Sequence, residues 1–429
     1  MAREMKNSGV RCIGEIPCNW SLTRFKYCFD TGSGLNITKA DLVEDGLAVI
    51  SYGQIHAKYN THTHLSDDLL RYIPKELTIG KERSKLQRND FVFADTSEDL
   101  DGCGNAAFID TDRLIYAGYH TITARPIITG DMRFLAYLFV TQPWRTQLQQ
   151  KVSGVKVNSI TRTLLNECVL VLPPLFEQQA IADFLDKKCG EIDGLLEDLD
   201  AEIKTLTEYK KSLIAETVTH GLNPNATMKR VALGWIESLP EHWNIARIAS
   251  VYSVRNEKVS DQDYQPLSVT MKGIVPQLEN AAKTKHGDDR KLIRKGDFVI
   301  NSRSDRRGSC GISPYDGSCS LINTVLAPRE EMNPRYYNWL FHTTQFADEF
   351  YKWGYGIVND LWTTNWGAMR RIQIPMPPLD EQAEIAAYLD ERVPHIEVAI
   401  SSKQDQIDQL KSYKASLIYE YVTGKKQVI

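Results

Sequence analysis

The densest run of cationic side chains in this 429-residue chain lies at residues 283–307, where Lys283, Lys285, Arg290, Lys291, Arg294, Lys295, Arg303, Arg306 and Arg307 stand against four aspartates. Its last part, NSRSDRRGSCG (301–311), sets Arg303, Ser304, Arg306 and Arg307 among small polar residues. Lysine and arginine bind phosphate oxygens, and an arginine fork can donate two parallel hydrogen bonds to a guanine edge. The same composition also suits a solvated charged loop. A second candidate, WGYGIVNDLWTTNWGAMRR (353–371), carries Tyr355 and Asn359, and SGVKVNSITRT (153–163) carries Lys156 and Asn158. Both begin near a glycine and offer amides and hydroxyls that could face a groove, although turn chemistry accounts for them equally well. Tyr52, Gln54 and His56 complete the set of candidate nucleic-acid contacts. The stretch DTSEDLDGCGN (95–105) is acidic, so an arginine-reader role does not carry over to it.

Catalytic chemistry is harder to find. No G-x-x-x-x-G-K-[ST] cradle for phosphates is present, because Gly80-Lys81 lacks both the upstream glycine and the following hydroxyl. Thr31-Gly32-Ser33-Gly34 is too short for a cofactor loop and reads as a turn. There is no Asn/Asp-Pro-Pro-Tyr/Phe loop to grip a flipped base. Asp90, Asp95 and Glu98 are the nearest approach to a carboxylate cluster. His62-Thr63-His64 is the nearest approach to a metal pair, but its polar setting reads as a solvated loop. The eight cysteines are scattered without a C-x-x-C pair, as expected for free thiols and not for a zinc site. The site assignment is therefore catalytic none and metal none.

The elements that must position these groups form an internal repeat. A shift of 223 aligns Met5-Lys6 with Met228-Lys229, Trp20 with Trp243 and Arg24 with Arg247. A shift of 204 aligns PPLFEQQAIADFLD (173–186) with PPLDEQAEIAAYLD (377–390) and Tyr209-Lys210 with Tyr413-Lys414. Each copy is thus a variable block followed by a long helical signal. Strands are expected at 47–55, 90–96, 105–110 and 114–126, then a helix at 133–151; in the second block, strands at 266–270, 297–301 and 320–327, then a helix at 334–352, with Pro334 in its first turn. After P-P-L, Ile181, Phe184 and Leu185 share one helical face, as do Ile385, Tyr388 and Leu389. Gly190 aligns with Pro394, and both weaken helices, so a kink or break is expected there.

Beyond that point a 4-3 spacing runs through Ile192, Leu196, Leu199, Ile203, Leu206, Lys210 and Leu213, and again through Ile396, Ile400, Lys403, Ile407, Leu410, Lys414 and Leu417. Matched phase favours a coiled coil between the two helices over two helices each packed on its own domain. Antiparallel pairing would put one block at each end of a rod of roughly 40 Å, at ~1.5 Å per residue. One turn of B-DNA is roughly 34–36 Å. Charge follows the same division. Residues 173–219 hold five Lys/Arg against eleven Asp/Glu and residues 377–421 four against nine, so a net charge of −4 leaves the blocks with an excess of about seven positive charges.

IGEIPCNW and IESLPEHW opening the blocks, the paired P-P-L-x-E-Q helices and the closing YKxSLI together resemble the specificity subunit of type I restriction-modification systems, over nearly the whole chain. The resemblance implies an α+β fold: two mixed α/β target-recognition domains joined by two long helices in an antiparallel coiled coil, with a pseudo-two-fold internal repeat. It implies recognition domains at 1–172 and 222–376, the latter with a linker at 222–233, and helical regions at 173–221 and 377–429. Each recognition domain would bind one half of a bipartite, asymmetric site on double-stranded DNA. The helices would set the spacer and dock two methyltransferase subunits, which restriction/translocase subunits then join. No cofactor is expected on this chain; S-adenosylmethionine, ATP and Mg belong to the partners. A non-catalytic, cytoplasmic protein without a membrane segment follows. The rival readings are a coiled-coil adaptor that binds protein without reading DNA and a self-contained nuclease or modification enzyme.

Overall fold

The computed structural model describes residues 3–152, 157–277, 289–329, 331–356 and 362–428. Lys156, Lys283, Lys285 and Asn359 lie outside the described residues. The chain divides into two compact units, residues 1–198 with 406–429 and residues 199–405.

In the first unit, strand Phe91–Ala94 is buried at every position. Successive strand residues point to opposite faces, so a strand covered on both sides reads as an unbroken apolar run. Phe91 and Phe93 join an aromatic core with Phe25, Phe108, Phe139 and Trp144, whereas Val92 and Ala94 face an aliphatic cluster with Ile50 and Ile115. The sheet runs in the order Phe29–Ser33, Thr121–Pro126, Phe91–Ala94, Ala106–Phe108, with every pairing antiparallel. Beside it, Ile115–Ala117, Leu47–Ile50 and Arg71–Ile73 form a three-stranded sheet with one parallel pair, Ile115 beside Ala48.

The second unit repeats the four-stranded order with Tyr252–Arg255, Asn323–Pro328, Phe298–Asn301 and Cys310–Ile312. Its other sheet is built differently, from Lys258–Val259, Arg290–Ile293 and Gly317–Cys319, all antiparallel. A buried carboxylate precedes the same strand in both units. Asp90 and Asp297 each accept a backbone N–H from three residues upstream, Gln87 and Arg294, at 2.8 Å. Each also holds a guanidinium, but Arg125 arrives from the second strand of its sheet and Arg255 from the first. Asp90, the first of the three carboxylates grouped from the sequence, is thus held in a buried ion pair that the second unit repeats at Asp297.

Several expectations need correction. The strand expected at 47–55 stops at Ile50, where Ser51 starts a short helix, Tyr52–Ile55, closed by a capping box with Gln54. The strand at 114–126 is two, Ile115–Ala117 and Thr121–Pro126, parted by His120 at φ 55°. The helices at 133–151 and 334–352 are each two: Met132–Phe139 with Gln142–Gln149, and Pro334–Phe341 with Thr344–Lys352. At each break one threonine, Thr141 or Thr343, donates both its hydroxyl, at 2.7 Å, and its backbone N–H to the carbonyl three residues back, Leu138 or Leu340, which closes the first helix. Thr31-Gly32-Ser33 is strand, not turn, and a Cβ on Gly34 would collide with the Gly118 carbonyl.

The expected break at Gly190 and Pro394 is also absent: helices Leu175–His220 and Leu379–Val422 run through both positions. Both residues are exposed, and Gly190 has open space where a Cβ would stand. Their neighbours Cys189, Ile192, Leu389 and Val393 are buried. Packing of the buried face outweighs a local propensity penalty of about 1 kcal/mol for glycine and about 3 for proline. Residues of the helices up to Asp198 and from Gln406 belong to the first unit, where Phe184 meets Tyr421 and Asp193 meets Lys414. The remainder belongs to the second, where Glu202 meets Lys403 and Glu397 meets Lys210 at 3.1 Å. Within each unit one partner's number falls as the other's rises, so the helices pair antiparallel. The buried and half-buried positions include Ile192, Leu196, Leu199, Ile203, Leu206 and Leu213, and on the second helix Ile396, Ile400, Ile407, Leu410 and Leu417. That is the seam read from the 4-3 spacing.

Candidate nucleic-acid interface

The repeated P-P-L-x-E-Q motif fixes where each block's loops can go. Trp20 Nε1 donates to Glu177 Oε2 at 2.9 Å, and Trp243 Nε1 donates to Glu381 Oε2 at 2.9 Å. In the first unit Arg3 spans both carboxylate oxygens, donating to Oε2 at 2.8 Å and pairing with Oε1, and lies 5.3 Å from the Trp20 ring centre. In the second, His242 Nε2 sits 2.6 Å from Glu381 Oε1. The adjacent glutamines work as two-sided clips. Gln178 donates to the Pro173 carbonyl at 2.8 Å and accepts from Asp131 N at 3.0 Å, while Gln382 donates to Pro377 at 2.8 Å and accepts from Asn333 N at 2.8 Å. Asp131 and Asn333 are the N-cap residues of helices Met132–Phe139 and Pro334–Phe341. Each motif thus fastens the start of a long helix to both the opening tryptophan and the main helix of its block. Asp186 accepts from Tyr137 Oη at 2.8 Å and Asp390 from Trp339 Nε1 at 2.7 Å, one turn or more further along.

On this frame the structure brings together the two loops of each block that the sequence singles out separately. In the first unit Thr96–Ser97 pairs antiparallel with Asn158–Ser159. In the second, Arg303 bridges to Thr363, Ser304 N donates to the Trp362 carbonyl at 2.9 Å, and Trp362 N donates to Ser304 Oγ at 3.1 Å. Tyr355 bridges to the same Thr363. The Ser304 hydroxyl is therefore committed to holding the loops together.

The surfaces built on these two pairs differ in charge. Arg303, Arg306 and Arg307 surround a short helical turn, Ser304–Arg306. Arg303 Nε lies 2.9 Å from Asp305, Arg306 Nε lies 3.8 Å from it, and Arg307 pairs with Asp348. All three side chains remain 40–67% exposed, and Tyr355 is 62% exposed beside them. Charge-assisted contacts this exposed are weak, so an incoming phosphate or base edge can replace them.

In the first unit Tyr52 packs edge-on against His56, Tyr119 and His120, with ring centres 5.4–6.3 Å apart. His56 Nε2 meets the Thr96 carbonyl at 2.8 Å and its Nδ1 meets the Asn105 amide at 3.2 Å. Gln54 accepts from Ser51 N at 3.2 Å, which commits its carbonyl to the capping box. A cavity of about 560 Å³ lies beside these rings, lined by Tyr52, His56, Asn105 and Arg145 and by the acidic Glu98, Asp99 and Asp101.

Sequence reasoning missed His120, Tyr119 and Arg145. His120 reaches Asp95 Oδ1 at 3.2 Å, so Asp95 and Asp90 have different partners. Arg145 donates to the Asp101 carbonyl, and burial pulls its pKa down. His62 is not part of a solvated loop. Its Nδ1 meets the Ala106 carbonyl at 2.7 Å, and burial pushes its pKa down to about 4. His64 turns outward to Asp110 at 3.1 Å, so the two rings do not make a ligand pair. Among the described residues no group of three His, Cys, Asp or Glu side chains could hold a metal ion, and no helix is long and apolar enough to cross a membrane.

The fold defines a class first: a duplicated α/β block, each copy clipped to the start of one of two antiparallel helices. The family model for the type I restriction modification DNA specificity domain matches twice, at residues 54–205 and 240–411. The chain belongs to that family. It is 25% identical over 291 residues to the type I restriction enzyme MjaX specificity subunit of Methanocaldococcus jannaschii, a match covering 64% of this chain and 63% of that relative's length. Its fold is shared with a chain solved in a study of complex assembly and conformational transition of the type I R-M system, at a TM-score of 0.69 and 15% identity, over 96% of this chain and 99% of that one. The crystal structure of the HsdS subunit from Thermoanaerobacter tengcongensis matches at a TM-score of 0.51 and 17% identity, covering 96% and 98%.

Proposed function

We propose that this chain is the DNA-specificity subunit of a type I restriction-modification complex, in which each block binds one half of a bipartite, asymmetric site. The observation that carries this reading is the combination of identical anchors with unlike loops: Trp20–Glu177 and Trp243–Glu381 repeat at 2.9 Å, while the paired loops they support are acidic in one copy and basic in the other. A duplicated frame holding two different surfaces suits two different half-sites. Lysines and arginines set register on phosphates, and a few side chains read base edges. In the second block Arg303, Arg306, Arg307 and Tyr355 have the exposure for this, with Lys283, Lys285 and Asn359 as further candidates. In the first block the candidates are Tyr52, His56 and Asn158, all half-buried, with Gln54 and Lys156.

The recognition domains are 1–172 and 222–376, and the helical regions 173–221 and 377–429 set the spacer and dock two methyltransferase subunits. Tyr209 and Tyr413, aligned in the repeat and 55% and 57% exposed, are suited to two copies of one partner. The chain itself is non-catalytic and cytoplasmic; S-adenosylmethionine, ATP and Mg would be held by the methyltransferase and restriction/translocase partners. The test is methylome sequencing of cells that co-express the chain with its methyltransferase. A split asymmetric motif is expected, and replacing residues 222–376 by those of a relative changes one half only. Inserting about one helical turn between Ile192 and Leu213 lengthens the spacer and leaves both halves intact. A single contiguous motif, or a motif indifferent to both changes, would overturn the reading in favour of a protein-binding adaptor.

A further inference from the structure

The loop of the second unit that holds Tyr355 and Thr363 begins and ends at one cavity. Helix Thr344–Lys352 brings Lys352 and Trp353 to its entry, and helix Trp366–Met369 delivers Arg371 at its exit. Arg247, from strand Asn244–Arg247, completes a cavity of about 590 Å³ lined by these four residues together with Glu349 and Gln373. Glu349 is committed: it accepts from Trp353 Nε1 at 2.7 Å and lies 3.5 Å from Lys352 Nζ. Neither Arg247 nor Arg371 has an ion-pair partner among the described residues, and both are exposed. Three cations therefore face one carboxylate beside an indole that is 40% exposed.

The matching place in the first unit is closed differently. Strand pairing puts Val169 opposite Arg24 and Gln373 opposite Arg247, so Glu167 holds the position of Arg371. Glu167 pairs with Lys151 at 3.0 Å and ties the loop's two ends to each other. Replacing that glutamate by Arg371 removes the internal partner and leaves positive charge at both ends of the loop.

We infer that the Arg247–Lys352–Arg371 cavity is a phosphodiester-binding site that grips the DNA backbone beside the half-site read by the second block, a role the first block's equivalent site has given up to an internal ion pair. This rests on the reading of the chain as a DNA-specificity subunit. Backbone contacts position a protein and carry no sequence information themselves. Removal of such contacts weakens binding across all sequences and reduces its salt dependence.

The experiment measures DNA affinity of the full chain with its methyltransferase by fluorescence anisotropy between 50 and 300 mM salt, for wild type, R247Q/R371Q and R371E, with unchanged thermal unfolding as the folding control. Arg371→Glu puts a carboxylate at the position of Glu167, in the cavity that Lys352 also lines. Both variants should lose at least about ten-fold in affinity at low salt, and the log–log slope should fall by about 0.9 per lost phosphate contact. The methylated motif should stay the same. Unchanged slope and affinity in both variants would overturn the inference while leaving the DNA-reading function standing; absence of salt-sensitive binding in wild type would instead overturn the function. Two further outcomes count against a backbone clamp: saturable binding of ATP or inorganic phosphate that the variants abolish while DNA affinity holds, and loss of a partner subunit at unchanged DNA slope, which would mark an acidic protein surface.

Discussion

The two blocks agree where they meet the long helices and disagree where they face outward. Tryptophan, glutamate and glutamine repeat with hydrogen bonds that differ by 0.2 Å or less. The outward loops share a way of being laced together but not their charge: Glu98, Asp99 and Asp101 stand in one copy, and Arg303, Arg306 and Arg307 in the other. Even the buried carboxylate common to both is satisfied from different strands, by Arg125 and by Arg255. Geometry that positions the loops is thus preserved to the atom, while the surface it presents is free to change.

The largest expected effect tests the shared anchor. Trp20→Ala and Trp243→Ala should each cost about 3–5 kcal/mol, read by urea unfolding, because each ring is buried and each leaves a carboxylate without its indole. The first should cost more, since the Glu177 side chain is 8% exposed and Glu381 31%. Equal losses would mean that the carboxylate's surroundings do not matter. Next, Asp90→Asn and Asp297→Asn should each cost about 3 kcal/mol by stranding a guanidinium against a buried amide, whichever strand that guanidinium comes from. A large difference would show that the strand of origin matters after all.

Third, Pro394→Ala should stabilise by about 1–3 kcal/mol and Gly190→Ala by about 0.5–1 kcal/mol, since both sit exposed inside helices that tolerate them only through packing. The reverse order in thermal unfolding would contradict this account of why neither helix breaks. A pH effect should belong to the first unit. His62 titrates near 4 when folded and near 6.5 when unfolded, so the unfolded chain binds the extra proton between those values. Stability from this group is full above pH 6.5 and is lost as pH falls toward 4, by at most about 3 kcal/mol and less for a half-buried ring. His62→Gln should flatten that window in pH-dependent melts.

Much of this was legible in the sequence because the repeat is written in residues that do one job each. The tryptophans, the P-P-L-x-E-Q motif and the 4-3 seam all stand where their spacing puts them. The misread break at Gly190 and Pro394 has a plain cause: propensity is local and worth little against a face buried along a whole helix. The split helices turned on one carbonyl each, Leu138 or Leu340, captured by both the hydroxyl and the backbone N–H of Thr141 or Thr343, which no periodicity reveals. For the interface, sequence found the loops but not their pairing, because residues 303 and 363 come together through hydrogen bonds across the intervening chain. His120 was invisible because its role depends on a left-handed backbone next to Asp95.

One detail bears on how the molecule is made. Gly424, at φ 72°, lies against Pro17 and Trp20, and Lys425 donates to the Glu15 carbonyl, whereas Gly221, at φ 77°, lies against Trp243. Residues 406–429 complete the first block, so that block waits for the whole of the second, which can close as soon as residue 405 has emerged. Birth order and completion order are reversed. The Trp20 side must wait, with part of its helix-facing surface uncovered, until residues 406–429 have been made, and a ribosome that stalls before them leaves the block made first unfinished.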